Sequence, residues 1–355
     1  MSKAAELANL IGNINAGGGG VNRNVIINGA MNVAQRSTSE TNRGDDTGYY
    51  VVDRWKISTG ASTAGRLTLS QDSSAPSGFA NSTKFDCTTA DTSIAAGEFL
   101  QFEQLIEGQN LQAFAKGTAD AKPFAVSFYV KGNASATYVC ELFDADNSRQ
   151  ISKTFNVTTD WTRVELTFPA DTTGAFDDDN ASSLALVIHL NAGSNYTSGT
   201  INSGSWASST NANRVGSGTT SFFDSTDRTF FITGVQLEVG QNCTEFEHIN
   251  NFGEELAKCY RYYYRESLGG LGIGNSYANG AWNYVGMIIP VTMRADPTAS
   301  YSGGTGSGTW HSSATTKGVS AKKGRLTVYQ KCNGANLDIY VGGSDPLIPL
   351  LDAEL

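Results

Sequence analysis

The stretch PFAVSFYVKG, residues 123–132, sets Phe124, Val126, Phe128 and Val130 on one side of an extended chain and Ala125, Ser127 and Tyr129 on the other. A period of two with large apolar groups on one face specifies a half-buried strand and is incompatible with a helix. The same grammar recurs along the chain. ATYVCELFDADNSRQISKTFNV reads as a hairpin turning around Asp144 to Ser148, and WTRVELTFP sets Trp161, Val164, Leu166 and Phe168 in a strand closed by Pro169. NVIINGAMNVAQR, DRWKIST, GRLTLSQD, SSLALVIHLNAG and RTFFITGVQLEVG read as further strands. With 39 glycines and only 17% charged residues, turn chemistry punctuates these runs. The residues therefore predict a mainly β protein whose region 21–250 packs two antiparallel sheets face to face.

Two helices interrupt this pattern. Ser2 is a candidate N-cap, after which Ala4, Leu7, Ile11 and Ile14 recur at 3-4-3 spacing and lay one apolar stripe along a short helix. A helix this short needs a partner, either further copies of itself or a groove on another protein. Gly17 to Gly20 follow as a tether, so 1–20 is expected to be an anchoring segment. The second helix is predicted over 251–268, where Asn251 and Glu254 form a capping-box pair and Arg261 and Arg265 match the C-terminal dipole. Its Leu256, Tyr260 and Tyr263 share one face while Tyr262 and Tyr264 point elsewhere. Aromatic surface on several sides must be enclosed, at a junction between domains or on an axis where identical chains meet. From 269 to 355 a second β-domain is expected, with strands at GRLTVYQKC, ANLDIYVGG and DPLIPLLDAEL.

Chemistry is sparse. There is no nucleophile elbow, P-loop, dinucleotide fingerprint or H-E-x-x-H, and only three histidines, His189, His248 and His311. The five cysteines form no C-x-x-C pair, so neither a thiolate metal site nor a cofactor is expected, and buried free thiols are. FDADNSR and FDDDNAS miss the EF-hand glycine and glutamate and read as solvated turns. A net charge of −9 with scattered Lys and Arg argues against nucleic acid. No apolar run approaches the ~18–20 residues that span a bilayer, so no membrane insertion is expected. Glu6, Asn9 and Asn13 interrupt what a secretory signal would need, so synthesis inside a cell is expected, which does not exclude a final location outside it. Carboxylate pairs for glycoside hydrolysis stay open, because 34 acids leave many combinations that only spatial proximity decides.

Sugar recognition needs exposed aromatic faces beside polar groups. Trp206 in the Gly/Ser/Asn-rich stretch 191–221, Trp282 and Tyr284 in GAWNYVG, and Trp310 beside His311 fit that description, whereas Trp55 and Trp161 belong to strand patterns and are expected in a core. The stretch 191–221 is either a functional excursion or poorly ordered.

NVIINGAMNVAQRS, DRWKIS, FEQLIEGQNLQAFAKG with PFAVSFYVKG, WTRVELTF and, above all, FITGVQLEVGQNCTEFEHINNFGEELAKCYRYYYR together resemble tail-fibre and related structural proteins of bacteriophages, particularly those of marine bacteria. The likeness spans most of 21–265, departs from the simplest pattern at the 191–221 loop, and includes a central part similar to the jelly-roll of carbohydrate-binding modules. It implies a virion component, commonly a homotrimer, attached through its N-terminus and presenting β-domains outward. The expectation is thus a non-enzymatic tail-fibre or receptor-binding protein that meets host-surface glycan. A purely structural adaptor or head appendage, or a polysaccharide depolymerase, is the alternative.

Overall fold

A computed structural model describes residues 2–15, 22–60, 63–249, 251–268, 271–276, 278–303, 314–332, 337–341 and 347–355. The chain divides into two compact units, Met1–Phe252 with Leu355, and Gly253–Glu354. No helix among the described residues is long and apolar enough to cross a membrane.

The first unit is the antiparallel β-sandwich that the alternation predicts. Six strands pair in the spatial order Ser39–Arg43, Arg66–Asp72, Ser82–Thr89, Thr229–Val239, Phe124–Gly132 and Thr162–Phe168. Seven pair in the order Ala207–Ser208, Arg149–Val157, Ala136–Asp144, Ser182–Ala192, Phe99–Glu107, Lys56–Gly60 and Gly48–Tyr49. Every pairing is antiparallel. The chain passes repeatedly from one sheet to the other, so neither folds without its partner. Between them lies one apolar core in which Phe85 meets Phe102 edge-on at 5.1 Å, Phe128 meets Phe155 at 5.0 Å, and Tyr138 meets Phe230 at 5.5 Å. Each buried ring of this kind contributes about 2–3 kcal/mol relative to exposure.

Two expectations fail here. NVIINGAMNVAQR forms no strand: Asn28 and Met31 take left-handed φ of 57° and 58°, and side chains replace a ladder. The Ile27 N–H donates to Gln104 Oε1 (2.8 Å) and the Val33 N–H to Asn28 Oδ1 (3.0 Å), while Ile26, Met31 and Val33 are buried. Trp161, expected in the core, lies half-buried just before its strand, edge-on to Phe231 at 6.1 Å. Trp55 is a core residue, 4.7 Å from Phe102.

The second unit holds small sheets around a core that includes Tyr264, Leu268, Leu326, Val328, Leu347 and Leu351. The strand Leu347–Asp352 pairs with Tyr263–Arg265 on one side and Thr298–Gly303 on the other, and Leu271–Ser276 pairs with Leu337–Val341. The third sheet joins Trp282–Ile288, Arg325–Cys332 and Ala314–Lys322, with Arg325–Cys332 in the centre.

The helix expected over 251–268 is shorter, spanning Phe252–Tyr260. The Tyr262 N–H returns to Cys259 O (2.9 Å), and Tyr263–Arg265 leaves as a strand opposite Leu350 to Asp352. An extended backbone sends successive rings to opposite faces, which a helix cannot do for adjacent tyrosines. Tyr262, Tyr263 and Tyr264 are thereby buried in the single chain, and Tyr260 meets Tyr264 at 5.0 Å. The sequence leads one to expect enclosure at a domain junction or on an axis between copies; these three rings are already buried within one chain. Burial pushes the Tyr264 phenol up to about 12.

The N-terminal helix spans Lys3–Asn15, with Ser2 Oγ accepting the Ala5 N–H at 3.3 Å. Leu7 and Ile11 are exposed along it, and Ile14 belongs to the same helix.

Candidate functional site: an aromatic face on the C-terminal sheet

The strand Trp282–Ile288 alternates as strictly as the sandwich strands do. Val285 and Met287 pack against the core of the second unit, so Trp282, Tyr284 and Ile288 point outward, at 43%, 58% and 87% exposure. Register brings further groups to the same face: Trp282 stands opposite Lys331, Tyr284 opposite Tyr329, Gly286 opposite Thr327 and Ile288 opposite Arg325. Tyr329 in turn faces Gly318, and Arg325 faces Lys322.

The three rings form one continuous platform. Trp282 and Tyr284 are stacked at 6.1 Å with planes 19° apart, and Tyr329 lies 5.9 Å from Trp282 and 6.4 Å from Tyr284. Two glycines keep the surface low. A Cβ at Gly318 would come within 2.6 Å of Tyr329 Oη, so that phenol lies across bare backbone. At Gly286 the crossing group is Arg325, whose Nε would be 3.1 Å from such a Cβ. The Lys331 Nζ sits 5.7 Å from the Trp282 ring centroid, a cation–π contact. A flat aromatic surface rimmed by long donors can cover the C–H face of a sugar while hydrogen-bonding its hydroxyls.

The other sequence candidates fall elsewhere. Trp206 is buried: its Nε1 donates to Pro169 O (2.9 Å) and its ring meets Phe124 at 5.4 Å. The polar stretch around it folds back onto the sandwich, which corrects its assignment as an exposed sugar platform. Trp310 and His311 lie outside the described residues. Leu256 and Tyr260 are half-buried. Tyr329, which sequence reasoning missed, joins the site through register alone.

A second aromatic group decorates the six-stranded sheet, where Phe79 contacts Tyr129, Phe246 and His248 at 5.3, 5.0 and 4.9 Å. Gly234, at φ 63° in a bulge, makes room, since a Cβ there would stand 2.7 Å from Phe79 and 2.9 Å from Tyr129. These rings spend their faces on one another and offer no comparable platform.

The buried charges are committed to one another. Gln101 Nε2 lies 3.3 Å from His189 Nδ1, which makes Nε2 the ring N–H, and Nε2 donates to Glu141 Oε2 at 2.7 Å. Arg214 grips the same carboxylate in two places, Nε to Oε1 at 3.0 Å and Nη2 to Oε2 at 2.7 Å. Burial alone would raise the Glu141 carboxyl, but His189 and Arg214 outweigh it and hold it below its ordinary value. Asp144, expected in a solvated turn, is fully buried and accepts from Lys116 Nζ at 2.5 Å. That ammonium also donates to Thr173 O and Gly174 O (2.9 and 2.7 Å) and lies 3.2 Å from Asp171. Asp177 to Asp179 of the other acidic stretch are exposed as expected. No group of three or more His, Cys, Asp or Glu among the described residues converges as a metal site. Cys87, Cys140, Cys243 and Cys259 are buried free thiols, and burial pushes Cys87 up to about 11.

No family model matches the chain, and no curated protein does. Among solved structures it is similar to the enzymatically active domain of tailspike protein 4 of bacteriophage CBA120, at 13% identity and a TM-score of 0.33, over 61% of this chain and 21% of that one. The match thus spans about a fifth of that solved domain's length. It is also similar to a CBM4 structure (12% identity, TM-score 0.31, 60% of this chain and 97% of that one). A family 11 carbohydrate-binding module from Clostridium thermocellum, in complex with a mixed-linked tetrasaccharide, is similar at 12% identity and TM-score 0.28, over 60% of this chain and 99% of that one. The sandwich itself is defined by its own strand pairing and shared core.

Proposed function

We propose that this chain is a non-enzymatic bacteriophage fibre protein that recognises host-surface glycan through the face built by Trp282, Tyr284 and Tyr329. The observation that carries this reading is the joined aromatic platform, because the exposed rings of Trp282 and Tyr284, continued by the half-buried Tyr329, are costly to leave in water on a sheet face unless a ligand covers them. The resemblance to phage tail-fibre proteins supplies the biological setting, a virion attached to its host. The helix Lys3–Asn15, with Leu7 and Ile11 uncovered, is the segment that anchors the chain to the virion or to its sister chains. A homotrimer would turn modest single-site affinity into avidity.

The test is adsorption of the virion, or retention of purified protein on envelope glycan, with Trp282→Ala and Tyr284→Ala. Each substitution is expected to weaken binding about five- to tenfold, from a ring contribution of roughly 1–1.4 kcal/mol. Binding unchanged in the double variant removes this face from the function and leaves the purely structural role. Shortened glycan chains after incubation would make the protein a depolymerase.

A further inference from the structure

We propose that the ligand of the aromatic face is an acidic polysaccharide, one whose sugars carry carboxylate groups; this rests on the glycan reading above. The chain has a net charge of −9, yet this face inverts that balance. Beside the rings, its described outward positions are Gly, Ser, Thr and Ile, the charged groups are Lys331, Arg325 and Lys322, and none is Asp or Glu. Lys322 pairs with Asp296 at 2.8 Å, but both side chains are largely exposed, and such a pair exchanges readily with an incoming anion.

The cations are placed at the two ends of the platform. Lys331 sits over Trp282, while Arg325, six residues along the same strand and about 20 Å away by strand rise, lies across Gly286. The rings occupy the ground between them. A polymer laid along the strand would rest successive sugar faces on the aromatics and meet a cation at each end. A carboxylate projecting from the edge of a sugar ring leaves the C–H face free to stack, and its two coplanar oxygens match the guanidinium fork. Nucleic acid is the poorer fit, because two or three cations on a strongly acidic chain cannot offset a dense phosphate backbone.

The experiment measures binding of the full chain to immobilised polygalacturonate, dextran, dextran sulfate and single-stranded DNA at low and moderate salt. The expectation is retention on polygalacturonate, at least tenfold weaker retention on dextran, and affinity that falls as salt rises. Lys331→Gln with Arg325→Gln should cut polygalacturonate binding tenfold or more and flatten the salt dependence, with unchanged near-UV circular dichroism reporting intact packing. Equal retention on dextran, without salt dependence, overturns the acidic ligand while leaving the glycan reading standing. Preference for dextran sulfate overturns the carboxylate assignment, and preference for DNA overturns the polysaccharide. If no polysaccharide is retained and Trp282→Ala leaves host adsorption unchanged, the glycan reading falls with it.

Discussion

What a tryptophan does in this protein depends on which distant segment covers it. Trp282 and Trp206 sit in equally polar neighbourhoods, yet one is exposed and the other buried against Phe124. A local pattern reports that a side chain alternates with its neighbours, and says nothing of which face a distant segment will cover. Tyr329 was invisible for the same reason, since only the pairing of Arg325–Cys332 with Trp282–Ile288 carries it to the platform. Glu141 makes the point for charge. It is fully buried and held ionised by His189 and Arg214, so its contribution to stability is complete above the ordinary carboxylate range and is lost as pH falls through its lowered folded-state value. Arg214→Ala, which breaks a buried pair, is expected to cost about 3 kcal/mol, roughly a 10 °C fall in the sandwich's Tm at neutral pH. Thermal unfolding between pH 7 and pH 3 checks both statements: Glu141→Gln should flatten the acid limb, and an unchanged limb would show that other carboxylates govern it.

Among the elements, the long Gly/Ser/Asn-rich stretch changed most between sequence and structure. It is an ordered excursion: a helical turn at Ser194–Thr197, a short edge strand at Ala207–Ser208 and a turn at Asn211–Asn213 bring it over the outward face of the seven-stranded sheet. Arg214 fixes it to Glu141, Gln150 Oε1 accepts the Thr210 N–H at 3.2 Å, and Tyr196 meets Phe99 edge-on at 5.3 Å. Small polar residues suit this task because they let the backbone lie close to a sheet while supplying their own hydrogen bonds. The tyrosine segment changed for a different reason, as pairing with Leu347–Asp352 overrode local helical preference after Tyr260. At the platform, Gly318→Val is expected to lift the Tyr329 ring, since its Oη already lies 2.6 Å from where a Cβ would stand. Glycan affinity should then drop severalfold with little loss of stability. Unaltered affinity would show that Tyr329 is not part of the contact.

For the whole molecule, two cores of different character make two cooperative units. The sandwich closes its core with residues spread over more than two hundred positions of sequence, whereas the second unit gathers a smaller apolar set from small sheets. Two unfolding transitions are therefore expected in calorimetry, with the Arg214 substitution moving only that of the sandwich. Tyr262, Tyr263 and Tyr264 are covered within one chain, whereas Leu7 and Ile11 are exposed. If the helix Lys3–Asn15 assembles copies of the chain, Leu7→Ser with Ile11→Ser should convert an oligomer to monomer in light scattering while both unfolding transitions persist. A wild-type chain that is already monomeric at micromolar concentration would confine that helix to anchoring.

The sequence by itself determined that this is a β protein, where most of its strands lie, that an amphipathic helix opens it, and that no metal or nucleophile motif is written into it. Those properties are local: period-two alternation, turn residues and caps act between near neighbours, so they can be read without knowing the fold. Only the tertiary structure decided which outward faces are covered. It placed a polar loop over one sheet, turned Tyr263 and Tyr264 from a sticky helix into a buried strand, and left Trp282 and Tyr284 exposed beside the half-buried Tyr329. Burial and register depend on pairings between residues far apart in the chain, and no local pattern encodes them.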